Sequence, residues 1–150
     1  MSITFAFLHH LAAFMLVAAL AAEMVLLKGE LTLQGARRLQ VLDALYGASA
    51  GVVLVIGLLR VFYFEKGASY YFHSAPFIAK LSLFVVVGLL SIYPTLMFRR
   101  LGRAAKQGQQ PAMTGVSLRN IRRVVHVQLA GIVFILLCAA MMARGVGFFG

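Results

Sequence analysis

Two histidines and two cations lie within apolar stretches of the sequence, at depths that place them in the same half of a bilayer. They are His9 and His10 in the first stretch, Arg60 near the end of the second and Lys80 near the start of the third. A neutral imidazole nitrogen ligates haem iron, and Arg and Lys pair with carboxylates such as the haem propionates. These residue types therefore predict a haem b site in which one of the two histidines holds the iron.

Helix geometry allows only one of these histidines to face the centre of a bundle, because adjacent residues point about 100° apart. Glu23 lies 14 residues after His9 and returns to within ~40° of the same face. This spacing favours His9 as the inward ring, but the sequence leaves the choice open. In the alternative interpretation the histidines bond to backbone carbonyls or hydroxyls, the cations extend to the membrane surface, and no haem is bound.

A second set of polar residues is expected in the opposite half of the bilayer. It comprises Glu23, Asp43, Arg122 and His126. Arg122 and His126 share one face of a helix, so they are the basic partners expected for the two carboxylates. We predict an ion-pair lock between the first, second and fourth spans. The alternative is a proton relay between Glu23 and His126.

The elements that position these residues follow from composition. Of 150 residues, 62% are hydrophobic and 12% are charged, and the mean hydropathy is +0.93, which excludes a water-soluble globule. A helix needs ~20 apolar residues to cross ~30 Å of hydrocarbon, and residues 3–27, 41–64, 76–98 and 124–143 meet this requirement. We predict an all-α fold, in which residues 1–150 form one integral membrane domain, an antiparallel, up-down four-helix bundle.

The net charge of +10 is unevenly distributed along the chain. Most Lys and Arg residues lie in the first and third connections, whereas the second connection and the C-terminal end carry only Lys66 and Arg144. The positive-inside rule then makes the basic loops cytoplasmic and both termini non-cytoplasmic, as in a multi-pass protein of a bacterial inner membrane. Since orientation explains the charge, no nucleic-acid partner is predicted. Residues 103–118 are expected to form a mobile cytoplasmic loop.

A GxxxG pattern in the second span predicts close approach of another helix. Gly47 and Gly51 are separated only by Ala and Ser, so a neighbouring backbone could pack directly against them. The contact could be internal, or it could join copies of the chain or a larger membrane complex. Besides the lipid bilayer, the predicted partners therefore include a protein, and the alternative function is a non-catalytic accessory or scaffold subunit.

Three segments of the chain carry a family resemblance: FLHHLAAF, ARRLQVLDALYG and FIAKLSLF. Through them the whole chain resembles a bacterial family of four-span membrane proteins with a domain of unknown function. More distantly, it resembles HemJ-type protoporphyrinogen oxidases, which bind haem b and oxidise a porphyrinogen. That resemblance implies a haem-dependent membrane oxidoreductase with His9 or His10 as the haem histidine and Lys80 as the lysine of the third span. A quinone or a porphyrin is then the expected reaction partner.

Overall fold

The computed structural model describes residues 2–64, 68–110 and 113–147, and these residues are almost entirely helical. In chain order the helices are α1 (Ser2–Lys28), α2 (Leu33–Leu59), α3 (Ala68–Phe72), α4 (Ala75–Lys106) and α5 (Gly115–Ala143). A π-helical turn, Arg60–Phe64, continues α2. The described part of the chain contains no β-strand, so the predicted all-α class is confirmed.

The four long helices are apolar enough and long enough to cross a membrane. The spanning segments are Ile3–Lys28, Leu33–Tyr63, Ala75–Lys106 and Gly115–Ala143, with hydropathies of 2.0 to 2.4. At 1.5 Å per residue even the shortest is ~39 Å long, which exceeds the ~30 Å hydrocarbon core. The protein is therefore a multi-pass membrane protein with four spans.

The helices extend beyond the predicted spans. Hydropathy marks only the part of a helix that lies in hydrocarbon, whereas backbone hydrogen bonding continues into the polar flanks. Thr32 caps α2 by accepting a hydrogen bond from the Gly35 amide at 3.0 Å, and Thr114 caps α5 in the same way with the Ser117 amide at 3.2 Å. The connection predicted over residues 103–118 is consequently shorter, because α4 continues to Lys106 and α5 begins at Gly115.

The four long helices pack as a ring. α1 packs against α2 and α5, and α4 packs against the same two helices. Across the ring, the side chains of Tyr46 on α2 and Gln128 on α5 meet in a hydrogen bond. Large apolar side chains also project outward on every long helix, among them Phe14, Val55, Leu89 and Val133, each more than half exposed. In a bilayer these side chains contact lipid, because apolar patches of this extent are not left in water.

The bundle has two unlike ends. The basic end contains Lys28, Arg37, Arg103 and Arg122, and most of the core lies in that half. Its fully buried side chains include Leu20, Leu27, Leu39, Phe98 and Ile121. The opposite end, called the histidine end for His9 and His10, has a small core cluster of Val61, Tyr71 and Phe77.

Two glycines allow close helix packing. A Cβ atom at Gly102 of α4 would lie 2.6 Å from Cδ and 3.0 Å from Cβ of Gln40 on α2. A Cβ atom at Gly131 of α5 would lie 2.6 Å from Cγ2 of Val87 on α4. Small residues at these positions bring the backbones together, as is common between membrane helices.

Candidate functional site

The structure brings the four residues predicted to bind haem to one cavity at the histidine end, here called the histidine cavity. Its volume is about 460 Å³. The polar residues that line it are His9, His10, Arg60, Tyr71 and Lys80, and the others are Gly57, Val61, Ala139, Met142 and Ala143. The cavity is thus bounded by all four long helices, the π-helical turn and α3.

His9 is the ring that faces the interior of the bundle. It is half-buried and lies against Gly57 of α2, where an added Cβ atom would be 3.4 Å from its Cε1. The absence of a side chain at Gly57 therefore leaves room for the imidazole between α1 and α2. The Nδ1 atom of His9 is buried and has no hydrogen-bond partner among the described residues.

His10 borders the same cavity from a more exposed position. Its ring centre is 6.1 Å from that of His9, and the two ring planes are nearly perpendicular at 86°. Its Nδ1 donates a hydrogen bond to the Ala6 carbonyl at 2.6 Å, which leaves Nε2 as the nitrogen available to a ligand. His73 and His126 make the same bond to the carbonyl four residues earlier. The three exposed histidines therefore share this bond to their own helix, and His9 does not make it.

The two cations reach the cavity from different helices. Lys80, on α4, is half-buried, and its Nζ lies 5.7 Å from the centre of the Phe77 ring, within the range of a cation–π interaction. Arg60 is the first residue of the π-helical turn that ends α2. Such turns rotate the following side chains relative to an α-helix and occur frequently at functional sites. The sequence pattern gave no sign of this turn.

Two further cavities continue inward from the histidine cavity. The first, of about 130 Å³, shares His9, Gly57, Val61, Lys80 and Ala139 with it. The second, of about 240 Å³, shares Ala13, Val53, Phe84, Ile135 and Leu136 with the first. We call these two cavities together the axial cleft. Because each cavity shares its walls with the next, the cleft connects the histidine cavity with the middle of the bundle.

The second predicted set of polar residues is only partly brought together. Glu23 is 2% exposed, and its Oε1 has no hydrogen-bond partner among the described residues. Asp43 is 7% exposed and accepts a hydrogen bond from Thr95 Oγ1 at 2.7 Å. Arg99 lines the same surface groove as Asp43 and Thr95. The nearest polar neighbours of Asp43 are thus on α4, not on α5 as the sequence analysis expected.

Arg122 and His126 do not meet the two carboxylates. Arg122 Nε donates to the carbonyl of Leu27, near the end of α1, at 2.6 Å. His126 is exposed and donates its Nδ1 hydrogen to the Arg122 carbonyl. On the other side of the bundle, Arg37 donates to the Ala105 carbonyl of α4 at 3.0 Å. The helices are therefore joined at the basic end by arginines that bind carbonyls of helix C-termini, which carry partial negative charge.

Sequence reasoning missed three polar residues near Glu23 and Asp43, of which Tyr46 and Gln128 are buried and Thr95 is half-buried. Thr95 donates to Asp43, and Gln128 Nε2 donates to the Tyr46 hydroxyl at 3.4 Å. Gln128 is 1% exposed, and its Oε1 has no partner in the described part of the chain. An uncharged polar residue in an apolar helix indicates a site of interhelical contact, because it needs a hydrogen-bond partner in hydrocarbon. The prediction was based only on charged residues and histidines.

No group of three or more His, Cys, Asp or Glu residues is arranged to hold a metal ion in residues 2–64, 68–110 and 113–147. Cys138 is a half-buried free cysteine on α5. A metal site at the histidine end would accordingly rely on one imidazole, with other ligands supplied by a cofactor.

Four apolar helices and a polar cavity near one end define a polytopic membrane protein. The model of a family described as "Predicted membrane protein (DUF2214)" matches residues 1–147. The chain therefore belongs to this family of membrane proteins of unknown function, as its sequence segments predicted. No curated protein and no solved structure matches the chain, so the HemJ-type resemblance stays a prediction.

Proposed function

We propose that this membrane protein binds haem b in the histidine cavity. His9 is the proposed axial ligand, and Arg60 and Lys80 are the proposed partners of the propionates. The observation that carries the proposal is the position of His9: a half-buried imidazole that lies against Gly57 borders a cavity that also contains two cations. An imidazole nitrogen that borders a cavity can serve as a metal ligand, and nearby cations can pair with carboxylates.

The residues of the cavity fit an amphiphilic dicarboxylate with a metal centre. His9 would hold the iron, and the cations would fix the carboxylates by charge-assisted hydrogen bonds. Val61, Tyr71 and Met142 form part of the wall and reduce the access of water. Haem supplies one-electron chemistry when it is bound, and a quinone or a porphyrinogen is the proposed reaction partner. His10 is adjacent to His9 on one helix, so only one of the two rings would hold the iron.

The experiment is an absorption spectrum of protein purified from haem-replete cells. We expect a Soret band from the wild type, its loss in His9→Ala, and its retention in His126→Ala, where the histidine is exposed and remote from the cavity. His10→Ala should retain the Soret band. If His10→Ala loses the band and His9→Ala keeps it, His10 is the ligand. The proposal is contradicted if the purified wild type shows no Soret band and added haem gives the same spectrum with the protein as without it.

We further propose an antiparallel, up-down arrangement with both termini outside the cytoplasm of a bacterial inner membrane. It is supported by the histidine cavity, whose walls combine the starts of α1 and α4 with the ends of α2 and α5, and by the basic residues at the other end. In a Cys138→Ala background, an impermeant maleimide should label Ser69→Cys in intact cells. Gln107→Cys should react only after permeabilisation, and the reverse pattern would invert the topology.

A second candidate function is that of an accessory subunit. A Cβ atom added at Gly47 or Gly51 would have no neighbour within 4 Å. Gly47 borders the axial cleft and the groove at Asp43, and both glycines are exposed. This GxxxG face is available to a helix of another copy or of a larger complex. Gly47→Leu combined with Gly51→Leu should abolish co-purification with such a partner, whereas unchanged association would exclude this face as the interface.

A further inference from the structure

The axial cleft is more than a packing defect. Side chains of α1, α2, α4 and α5 all line its inner part, which has a volume of about 240 Å³. Protein interiors are close-packed, and voids much larger than a water molecule are few. A space of this size between four helices is therefore a candidate ligand site.

The shape of the cleft suits a chain. Its α4 wall runs from Lys80 to Ser91, which corresponds to ~16 Å along a helix axis at 1.5 Å per residue. Most of the lining is aliphatic or aromatic, including Leu16, Val53, Phe84 and Ile132. An elongated space with an apolar lining accepts an extended hydrocarbon chain.

The inner end of the cleft offers little to a polar group. Ser91 Oγ donates to the Gly88 carbonyl of its own helix at 2.6 Å. The Tyr46 hydroxyl accepts a hydrogen bond from Gln128. Because both groups are already engaged within the protein, the inner end fits the methyl terminus of a chain.

The other end of the cleft is cationic. Lys80 and His9 belong to the walls of both the cleft and the histidine cavity, and Arg60 lies just beyond them in that cavity. An anionic head at this level would be paired with the Lys80 ammonium while its chain fills the cleft. Charge complementarity and shape thus both favour an amphiphile with one anionic head group and one hydrocarbon chain.

We infer that the axial cleft binds a single-chain fatty acid from the membrane, with its carboxylate beside Lys80 and its chain directed toward Tyr46. This inference goes beyond the proposed function, because it requires no haem. Since a haem propionate and the fatty-acid carboxylate would both pair with Lys80, we expect the two ligands to compete, and the labelling below uses haem-free protein. The bilayer supplies the ligand, which would enter between helices from the lipid phase.

The test is photolabelling with a palmitate analogue that carries a diazirine in the middle of its chain, using full-length protein in phosphatidylcholine vesicles. We expect adducts on cleft residues such as Val53 and Phe84, and displacement of the probe by unlabelled palmitate. Adducts confined to lipid-facing residues such as Leu89 and Val133, without displacement by palmitate, would show ordinary contact with bulk lipid and overturn the inference.

Two pairs of variants sharpen the test. Ala13→Leu fills the point where the two parts of the cleft meet and should weaken palmitate competition about tenfold. Ala18→Leu, on an exposed position of the same helix, should leave it unchanged. Lys80→Gln should weaken competition by palmitate about tenfold while leaving competition by hexadecanol unaltered. Equal effects on palmitate and hexadecanol would overturn the assignment of the head group.

The haem proposal and the fatty-acid inference can fail separately. A protein without a Soret band that still shows displaceable cleft labelling disproves only haem binding. A coloured protein whose haem-free form shows no cleft labelling disproves only the fatty-acid site. Photolabelling of the wild-type protein needs no substitution. It therefore tests the fatty-acid site even if a variant fails to fold.

Discussion

The two halves of the bundle are built differently. In the half near the basic end, fully buried side chains such as Leu27, Leu39, Phe98 and Ile121 fill the space between the helices. In the half near the histidine end, the core is smaller and the helices enclose the histidine cavity and the outer part of the axial cleft. The difference indicates that the half near the basic end holds the helices together. The half near the histidine end leaves space between the helices, and this space is available to a ligand.

This division can be tested because substitutions in the two halves should affect different properties. Changes near the basic end are expected to lower the free energy of unfolding, since the side chains there are closely packed and Arg37, Thr95 and Arg122 make hydrogen bonds between helices. Changes that add volume to the cleft are expected to leave stability unchanged or to raise it.

The largest effect is expected for Gly102→Ala. The new methyl group would lie 2.6 Å from Cδ and 3.0 Å from Cβ of Gln40. The Cβ atom of Gln40 is fixed to the backbone, so it can move away only if α2 moves. We expect a loss of about 2–3 kcal/mol in the free energy of unfolding, typical of an overpacked interface. Reversible unfolding in mixed micelles measures it, and an unchanged midpoint would mean that α2 and α4 are not in close contact here.

A smaller loss is expected for Thr95→Val, which removes the hydroxyl that donates to Asp43 but keeps the shape of the side chain. Leaving a buried carboxylate without this donor should cost about 1–2 kcal/mol. Thr95→Ser retains the hydroxyl and should recover most of the loss. If serine and valine are equally destabilising, the methyl group of Thr95 matters and the hydrogen bond does not.

Arg37 and Arg38 provide a matched pair of smaller effects. Arg37 donates to the Ala105 carbonyl, whereas Arg38 is exposed and has the same charge. Arg37→Gln should lower the free energy of unfolding by about 1 kcal/mol, and Arg38→Gln by much less. Equal losses in the two variants would assign the effect to net charge, and the helix-end bond would then contribute nothing measurable.

The smallest effect, with the opposite sign, is expected for Gly88→Ala. Gly88 lines the cleft, and an added Cβ atom would have no neighbour within 4 Å. Alanine should raise stability by about 0.5 kcal/mol, because it is the better helix former. Gly131→Ala is the counterpart, since its methyl group would lie 2.6 Å from Val87 Cγ2, and it should be destabilising. A destabilising Gly88→Ala would argue that the cleft is closed by close packing.

The approximate membership of the histidine cavity could be predicted from the sequence. Depth along each apolar stretch placed His9, His10, Arg60 and Lys80 in one layer, and the structure brings them to one cavity. The role of Gly57 could not be foreseen, because it depends on the rotation of α2 relative to α1. The π-helical turn at Arg60 was also missed, since it changes the hydrogen-bonding register without any mark in the hydropathy.

The polar residues nearer the basic end were predicted less well. Charges were matched with opposite charges, which favoured Arg122 and His126 as partners of Glu23 and Asp43. In the structure Arg122 binds the Leu27 carbonyl and Thr95 binds Asp43. Backbone carbonyls at helix ends and hydroxyl groups satisfy polar side chains as well as ions do, and a one-dimensional search for charges does not include them.

By itself, the sequence determined that the chain crosses a membrane four times as helices, because apolar length and the need to satisfy every backbone group in lipid leave no other solution. It also determined which polar residues share a depth. Only the tertiary structure decided which face each helix turns inward, and therefore that His9 lies against Gly57 and that a cleft continues beneath it. The reason is physical: lipid and protein interior are both apolar, so hydropathy alone does not distinguish a face that packs from a face that contacts lipid.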